Sequence, residues 1–291
     1  MVKVLVTGGA GMLGRACLAT MRERHAVVGV DLPDGDLTLP GVAASLMSRH
    51  RPDWVVHTAA FTDVDGAETQ AERAFAVNAT ATAHLARACA EAGAGLSYLS
   101  TDYVFPGDNP EGYGEESPRA PINHYGQTKA RGEEAVEAAG GRWQIVRTSW
   151  LFGPGSKNFV LSIQKALAAR SQVRVVADQT GCPTYAPDLA AVLLFLLENG
   201  TPGIYHATNR GSCTWFGFAR EIARQTGHDP RRVMACATAD WPTSARRPAC
   251  SILLSRRLED VDCPQRPPWE QALAAYLAWL ERHQPLRAGE E

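Results

Sequence analysis

Short apolar runs alternate with longer amphipathic stretches through the first half of the chain: residues 3–6 then 11–24, 26–30, 54–57 then 70–92, 96–100 then 123–139, and 144–148. The short runs (VLV, AVVGV, WVVH, QIV) are rich in β-branched residues and do not alternate with polar ones, as strands buried on both faces require. The order strand, helix, strand, helix predicts an α/β fold built on a doubly wound parallel sheet. Beyond Thr148 the pattern loosens, with helices predicted at 157–169, 187–197, 214–225 and 269–282 between stretches rich in Gly and Pro. The expected organisation is a sheet domain over 1–150, a smaller lobe over 151–285 and a frayed tail at 286–291. No linker composition separates the first two, so the lobe should pack closely on the sheet domain and send segments back into it.

Composition narrows the partners. With 29 basic and 31 acidic residues the net charge is −2, which gives no electrostatic reason to expect a nucleic acid or an anionic membrane surface. At 45% hydrophobic and 21% charged residues, disorder and collagen-like repeats are excluded. The seven cysteines (17, 89, 182, 213, 236, 250 and 263) contain no C-x-x-C pair, so neither a disulfide framework nor a thiolate zinc site is expected. The longest purely apolar run, 189–197, falls far short of the roughly 20 residues of a membrane span, and no leader-like segment opens the chain. A cytoplasmic, reducing location follows as the expectation.

Residues 3–14, KVLVTGGAGMLG, carry the first candidate chemistry. Gly8 permits a tight turn after the strand, Gly11 lets a pyrophosphate approach the backbone, and Gly14 lets the helix pack against the strand. The helix N-terminus then offers free N–H groups to the phosphates. Asp31 ends the second strand about 20 residues on, where a carboxylate accepts hydrogen bonds from the adenosine ribose. Such a carboxylate repels a 2′-phosphate, so NADH is favoured, while Arg15 beside the loop keeps NADPH open. The sheet domain thus reads as a Rossmann-type dinucleotide-binding domain and the second lobe as the place for substrate.

Tyr125 and Lys129 stand one helical turn apart in HYGQTKARGEEAVE and project from the same face. A phenol acid next to an ammonium that lowers its pKa suits hydride transfer to a carbonyl. Thr101, about 25 residues earlier at a strand end, places a hydroxyl within reach of the same carbonyl.

The Gly loop with Tyr125-x-x-x-Lys129 resembles the extended short-chain dehydrogenase/reductase superfamily. More closely, STDYVFPG (100–107), YGQTKARGE (125–133), RTSWLFG (147–153) and DQTGCPT (178–184) resemble the dTDP-4-dehydrorhamnose reductase family. The resemblance covers nearly the whole chain and weakens after about Thr226. It implies reduction of the C4 ketone of a nucleotide-linked 6-deoxy-4-keto sugar, with Thr101, Tyr125 and Lys129 as the catalytic group. It further implies Gly11, Met12 and Leu13 at the pyrophosphate, Asp36 and Leu37 at the adenine, and Ala59, Ala60, Phe61 and Thr62 beside the cofactor phosphates and nicotinamide ribose. Asp102 and Trp150 would line the sugar pocket, and Arg247 would face the nucleotide diphosphate, a task that suits the planar guanidinium fork. Some members join homodimers through metal-bound carboxylates. The corresponding segments here read Arg15-Ala16-Cys17 and Tyr185-Ala186-Pro187, so no metal is expected, and a homodimer is left open.

Three rival readings share these motifs. A dehydratase of the superfamily carries Thr-Asp-Glu where this chain has Thr101-Asp102-Tyr103. A C4 epimerase uses the same Tyr and Lys. The regulatory β subunit of methionine adenosyltransferase resembles these reductases and acts by binding a partner. Several other residues read as structural: His57 and His206 as core imidazoles, and Trp215, Trp241, Trp269 and Trp279 as packing. Asn78 reads equally as a core hydrogen-bonding residue or an active-site neighbour, and Cys182 has nothing nearby that favours a thiolate.

Overall fold

The computed structural model describes every residue except 262, 264, 265 and 284–291, so the predicted tail at 286–291 lies outside the described residues. Six strands form one parallel sheet: β1 (Lys3–Thr7), β2 (Ala26–Val30), β3 (Trp54–His57), β4 (Gly95–Thr101), β5 (Trp143–Thr148) and β6 (Gly203–His206). Their spatial order is β6-β5-β4-β3-β1-β2. The unbroken apolar runs follow from burial on both sides. Val4 and Val6 of β1 and Val56 of β3 pack into one cluster with α1 (Met12–Met21), while Leu5 and Val55 face the opposite cluster. Helix α2 (Val42–His50), which lies outside the predicted elements, joins α3 (Ala81–Ala92) and α4 (His124–Ala139) on that second side.

Between β1 and β3 the winding reverses, and loops leaving their carboxyl ends diverge to open a crevice there. The predicted helix 70–92 forms and runs helical from Ala71 to Ala92, preceded by a short turn at Gly66–Thr69 and widened into a π turn at Ala76–Thr80 before α3. The buried Asn78 on that turn accounts for the widening. Its amide donates to Phe61 O (3.0 Å) and Thr128 Oγ1 (2.9 Å), and its Oδ1 accepts from Phe61 N (2.8 Å). A widened turn of this kind re-aims a side chain and recurs at functional sites.

After β5 the chain builds a second core. Phe152, helix α5 (Phe159–Ala169), α7 (Trp215–Gln225) and α8 (Trp269–His283) pack over the parallel pair Val173–Val176 and Val233–Cys236. Between α5 and α7 the chain returns to the sheet. Helix α6 (Ala186–Asn199) packs on the α1 side, and β6 pairs with β5. Among the described residues no helix is long and apolar enough to cross a membrane.

Candidate active site

One cavity of about 680 Å³ opens at the carboxyl ends of the strands. Gly8, Gly11, Met12 and Leu13 line one part, and Asp31, Asp36 and Leu37 extend it. Ala59, Ala60 and Thr62 flank it, and Thr101, Asp102, Tyr125, Lys129 and Trp150 complete the wall. Gly8 adopts φ +71°, and a Cβ there would stand 2.7 Å from Ala59 N; a Cβ on Gly14 would run into Gly8 O. The loop therefore closes only with glycine at both positions. The first turn of α1 has neither a side-chain cap nor an acidic residue, so its N–H groups face the cavity as an anion cradle. At the end of β2, the Asp31 carboxylate takes the N–H groups of Ala10 (2.9 Å) and Leu32 (3.0 Å), fixing its orientation. Asp36 accepts from Thr38 N and Oγ1, and those bonds hold its carboxyl below the usual range.

Thr101 is the last residue of β4, in register with Thr148 of β5. Its hydroxyl donates to Asp102 Oδ1 (2.9 Å). Asn123 caps α4 by accepting from Gly126 N (2.8 Å), and Gly126 packs so tightly on Tyr103 O that a Cβ would overlap it. This close approach holds Tyr125 at the strand end, edge-on to Tyr103 with ring centroids 5.7 Å apart. One turn on, Lys129 Nζ donates to Leu99 O (2.7 Å) and lies 4.2 Å from the Tyr98 ring centroid. Burial pulls the Lys129 ammonium down to about 7, and the Glu133 carboxylate pushes back. Burial raises the Tyr125 phenol above its ordinary value, Asp102 adds to the rise, and the Thr101 hydroxyl opposes it. The net direction at Tyr125 is thus opposite to the lowering expected from a nearby ammonium. Burial outweighs it, and Lys129 directs its charge at Leu99 and Tyr98. Burial also raises the Asp102 carboxyl to about 6.

Three buried oxygens on this wall, Ser100 Oγ, Asp102 Oδ2 and Thr148 Oγ1, have no hydrogen-bond partner among the described residues. Buried polar atoms are normally satisfied, so three such orphans on one wall mark where a polar ligand fits.

The model of the family described as RmlD substrate binding domain matches residues 2–282. The chain belongs to this family. It is 41% identical to a dTDP-4-dehydrorhamnose reductase of Mycobacterium tuberculosis, covering 95% of this chain and 92% of that protein. It is 39% identical to a probable dTDP-4,6-dihydroxy-2-methyloxan-3-one 4-ketoreductase of Streptomyces antibioticus, over 98% of both. Among solved structures, the dTDP-4-dehydrorhamnose reductase of Bacillus anthracis in complex with NADP aligns with a TM-score of 0.92 at 36% identity, covering 96% of this chain and 99% of that one.

Two residues of the family pattern stand off the cavity wall. Phe61 has its backbone bound by Asn78 and its ring 5.8 Å from the Arg73 guanidinium. Arg247 pairs with Asp65 (2.7 Å) and also bonds Ala245 O. Conversely, Trp215 lines the cavity, although its position reads as packing in the sequence; Ser149, Ser156 and Lys157 join it there. Only Lys157 carried a sequence signal, as one of four lysines in an arginine-rich chain.

His57 lies beneath the site as a satisfied core imidazole, with Nδ1 2.6 Å from Thr7 Oγ1 and Nε2 3.2 Å from Thr82 Oγ1. Burial lowers its pKa to about 3, with Lys129 adding to the effect; burial and then Arg147 do the same to His206. Both are neutral in the fold but take up protons on unfolding below about pH 6.5. Stability therefore falls as pH drops from about 6.5 toward 3. Asp102, raised to about 6, opposes this between about pH 4 and 6, but one group against two does not reverse it. We expect Tm to decline steadily below about pH 6.5, and His57→Gln to flatten the slope. A Tm independent of pH across that window would contradict the assignment.

Proposed function

We propose that the chain reduces the C4 ketone of a nucleotide-linked 6-deoxy-4-keto sugar, converting dTDP-4-dehydro-L-rhamnose to dTDP-L-rhamnose with NADH or NADPH. The observation that carries this reading is the convergence of Thr101, Tyr125 and Lys129 on the cavity that also contains the glycine cradle. The names of the relatives point to the same C4 chemistry.

A bound reduced nicotinamide dinucleotide supplies the hydride. Gly8 and Gly11, whose N–H is turned back onto Gly8 O, let its pyrophosphate approach the backbone, Met12 and Leu13 present N–H groups to it, Asp31 accepts from the adenosine ribose, and Asp36 and Leu37 flank the adenine. Ala59, Ala60, Phe61 and Thr62 form the backbone edge beside it. An ammonium has three donors, and Leu99 O takes one from Lys129, which leaves two for ribose hydroxyls. Thr101 turns its hydroxyl from Asp102 to the substrate carbonyl, and Tyr125 donates the proton to the C4 oxygen. A phenol whose pKa is raised remains protonated and ready to donate at neutral pH. Asp102 and Trp150 line the sugar. Arg247 meets the diphosphate once it exchanges Asp65 for phosphate oxygens.

We favour NADH over NADPH on the strength of Asp31, while Arg15, whose Nε donates to Ala10 O beside the loop, tempers that preference. Asp31→Ala should shift the kcat/KM ratio toward NADPH by roughly tenfold. An unchanged ratio would remove the ribose role. A cytoplasmic, reducing location fits the free thiols of Cys17, Cys89, Cys182, Cys213, Cys236 and Cys250.

The S. antibioticus relative supports a second reading, in which a different dTDP-linked 4-ketone is the substrate. Supplying both keto sugars with reduced dinucleotide and following loss of nicotinamide absorbance separates the two. Turnover of neither, with dinucleotide still bound, would favour a regulatory subunit.

A further inference from the structure

The loop after β5 contains the only non-glycine residue besides Arg51 that adopts a positive φ among the described residues: Trp150, at +46°. A bulky residue in this region is strained, and such strain persists only where the surroundings enforce it. Three local features do so. Residues Thr180–Gly181 pair antiparallel with Cys213–Thr214, bringing Gly181 and Trp215 to the same place. A Cβ on Gly181 would lie 2.5 Å from Trp150 Cε2 and 2.6 Å from its Nε1, so only glycine leaves room for the ring. Trp215 stacks on Trp150 with centroids 3.5 Å apart and planes 7° from parallel, and is backed by Phe159 at 4.5 Å. The Trp150 carbonyl is fixed as well, accepting from Thr184 N (3.2 Å).

Both tryptophans line the cavity, and neither indole N–H has a hydrogen-bond partner among the described residues. Trp150 follows Thr148 by two residues, and Thr148 pairs with Thr101, so the stack borders the catalytic end. An aromatic wall with two open N–H donors suits a ligand that is both ring-shaped and rich in acceptors, such as a sugar on a nucleotide.

We propose that Trp215 is a positioning residue for substrate: with Gly181 it clamps Trp150 in its left-handed conformation and so shapes the sugar-nucleotide end of the cavity. The proposal deepens the reductase reading and rests on it. It assigns Trp215 no contact with the dinucleotide.

The test compares Trp215→Ala, Trp215→Phe and wild type. Steady-state kinetics give KM for the keto sugar nucleotide, calorimetry gives the Kd of dTDP and of NADPH, and circular dichroism reads the exciton signal of the stacked indoles. We expect Trp215→Ala to lose the exciton signal and raise KM for the keto sugar about tenfold, with kcat at saturation and the NADPH Kd nearly unchanged. Trp215→Phe, which retains a stacking ring, should recover most of the KM and guards against a folding defect in the alanine variant. Loss of the exciton signal with KM and the dTDP Kd unchanged would overturn the proposal, as would an equal weakening of NADPH and dTDP. If wild type binds dTDP without reducing any keto sugar, the reductase reading fails while the dTDP Kd of the variants still decides this one.

Discussion

Tyr125→Phe is expected to lower kcat for ketone reduction by roughly 10²–10⁴-fold while leaving the Kd of reduced dinucleotide nearly unchanged. The substitution removes one oxygen and keeps the ring. The edge contact with Tyr103 and the Asn123 cap that aims the start of α4 both remain. What is lost is the only phenol that shares the cavity wall with Thr101 and Lys129 at the end of β4, apart from that of Tyr103 beside it. Tyr103 does not replace it, because Tyr125 alone stands one turn before Lys129 on the same helix face. Stopped-flow single turnover with pre-bound dinucleotide separates the chemical step from binding. Near wild-type reduction by the phenylalanine variant would show that the proton comes from elsewhere.

Arg147→Met is expected to cost about 3–5 kcal/mol of stability. Arg147 is 1% exposed and Glu133 is fully buried. The two are joined by a bidentate pair, Nε to Oε1 at 2.9 Å and Nη2 to Oε2 at 2.7 Å. Arg147 also donates to Glu115 O (3.2 Å) and lies 4.9 Å from the Phe105 ring centroid. Methionine fills much of the volume but leaves Glu133 with Arg119 alone (3.1 Å), whose own guanidinium is partly solvated. An incompletely paired buried carboxylate is the costly species, so adding Glu133→Gln to Arg147→Met should restore part of the loss. Urea denaturation measures both variants. A loss below about 1 kcal/mol for the single variant would mean that water reaches the pair.

These two residues also illustrate what a sequence conveys. Tyr125 was legible because its partner lies four residues away and helix geometry alone brings them together. The glycine loop was legible for the same reason, since turn, strand and helix are contiguous over residues 3–14. The Glu133–Arg147 pair crosses from α4 to β5, and its burial is a property of the assembled sheet. The Asp65–Arg247 pair is still more remote, its members standing 182 positions apart. It explains why an arginine that fits the family's phosphate-facing pattern stands off the cavity in this structure. Likewise α6, whose apolar run 189–197 marks a buried helix, gives no sign in its sequence that it packs on α1 rather than in the second core. Trp215 is recognisable only once β pairing has set it against Trp150.

The most direct test of the central claim is isotope transfer from reduced dinucleotide carrying deuterium at both positions of the nicotinamide C4, incubated with dTDP-4-dehydro-L-rhamnose and followed by mass spectrometry and NMR of the sugar. The account predicts one deuterium at sugar C4 per dinucleotide oxidised, abolished by Tyr125→Phe. Product without deuterium at C4, or dinucleotide oxidation without a reduced sugar, would contradict it.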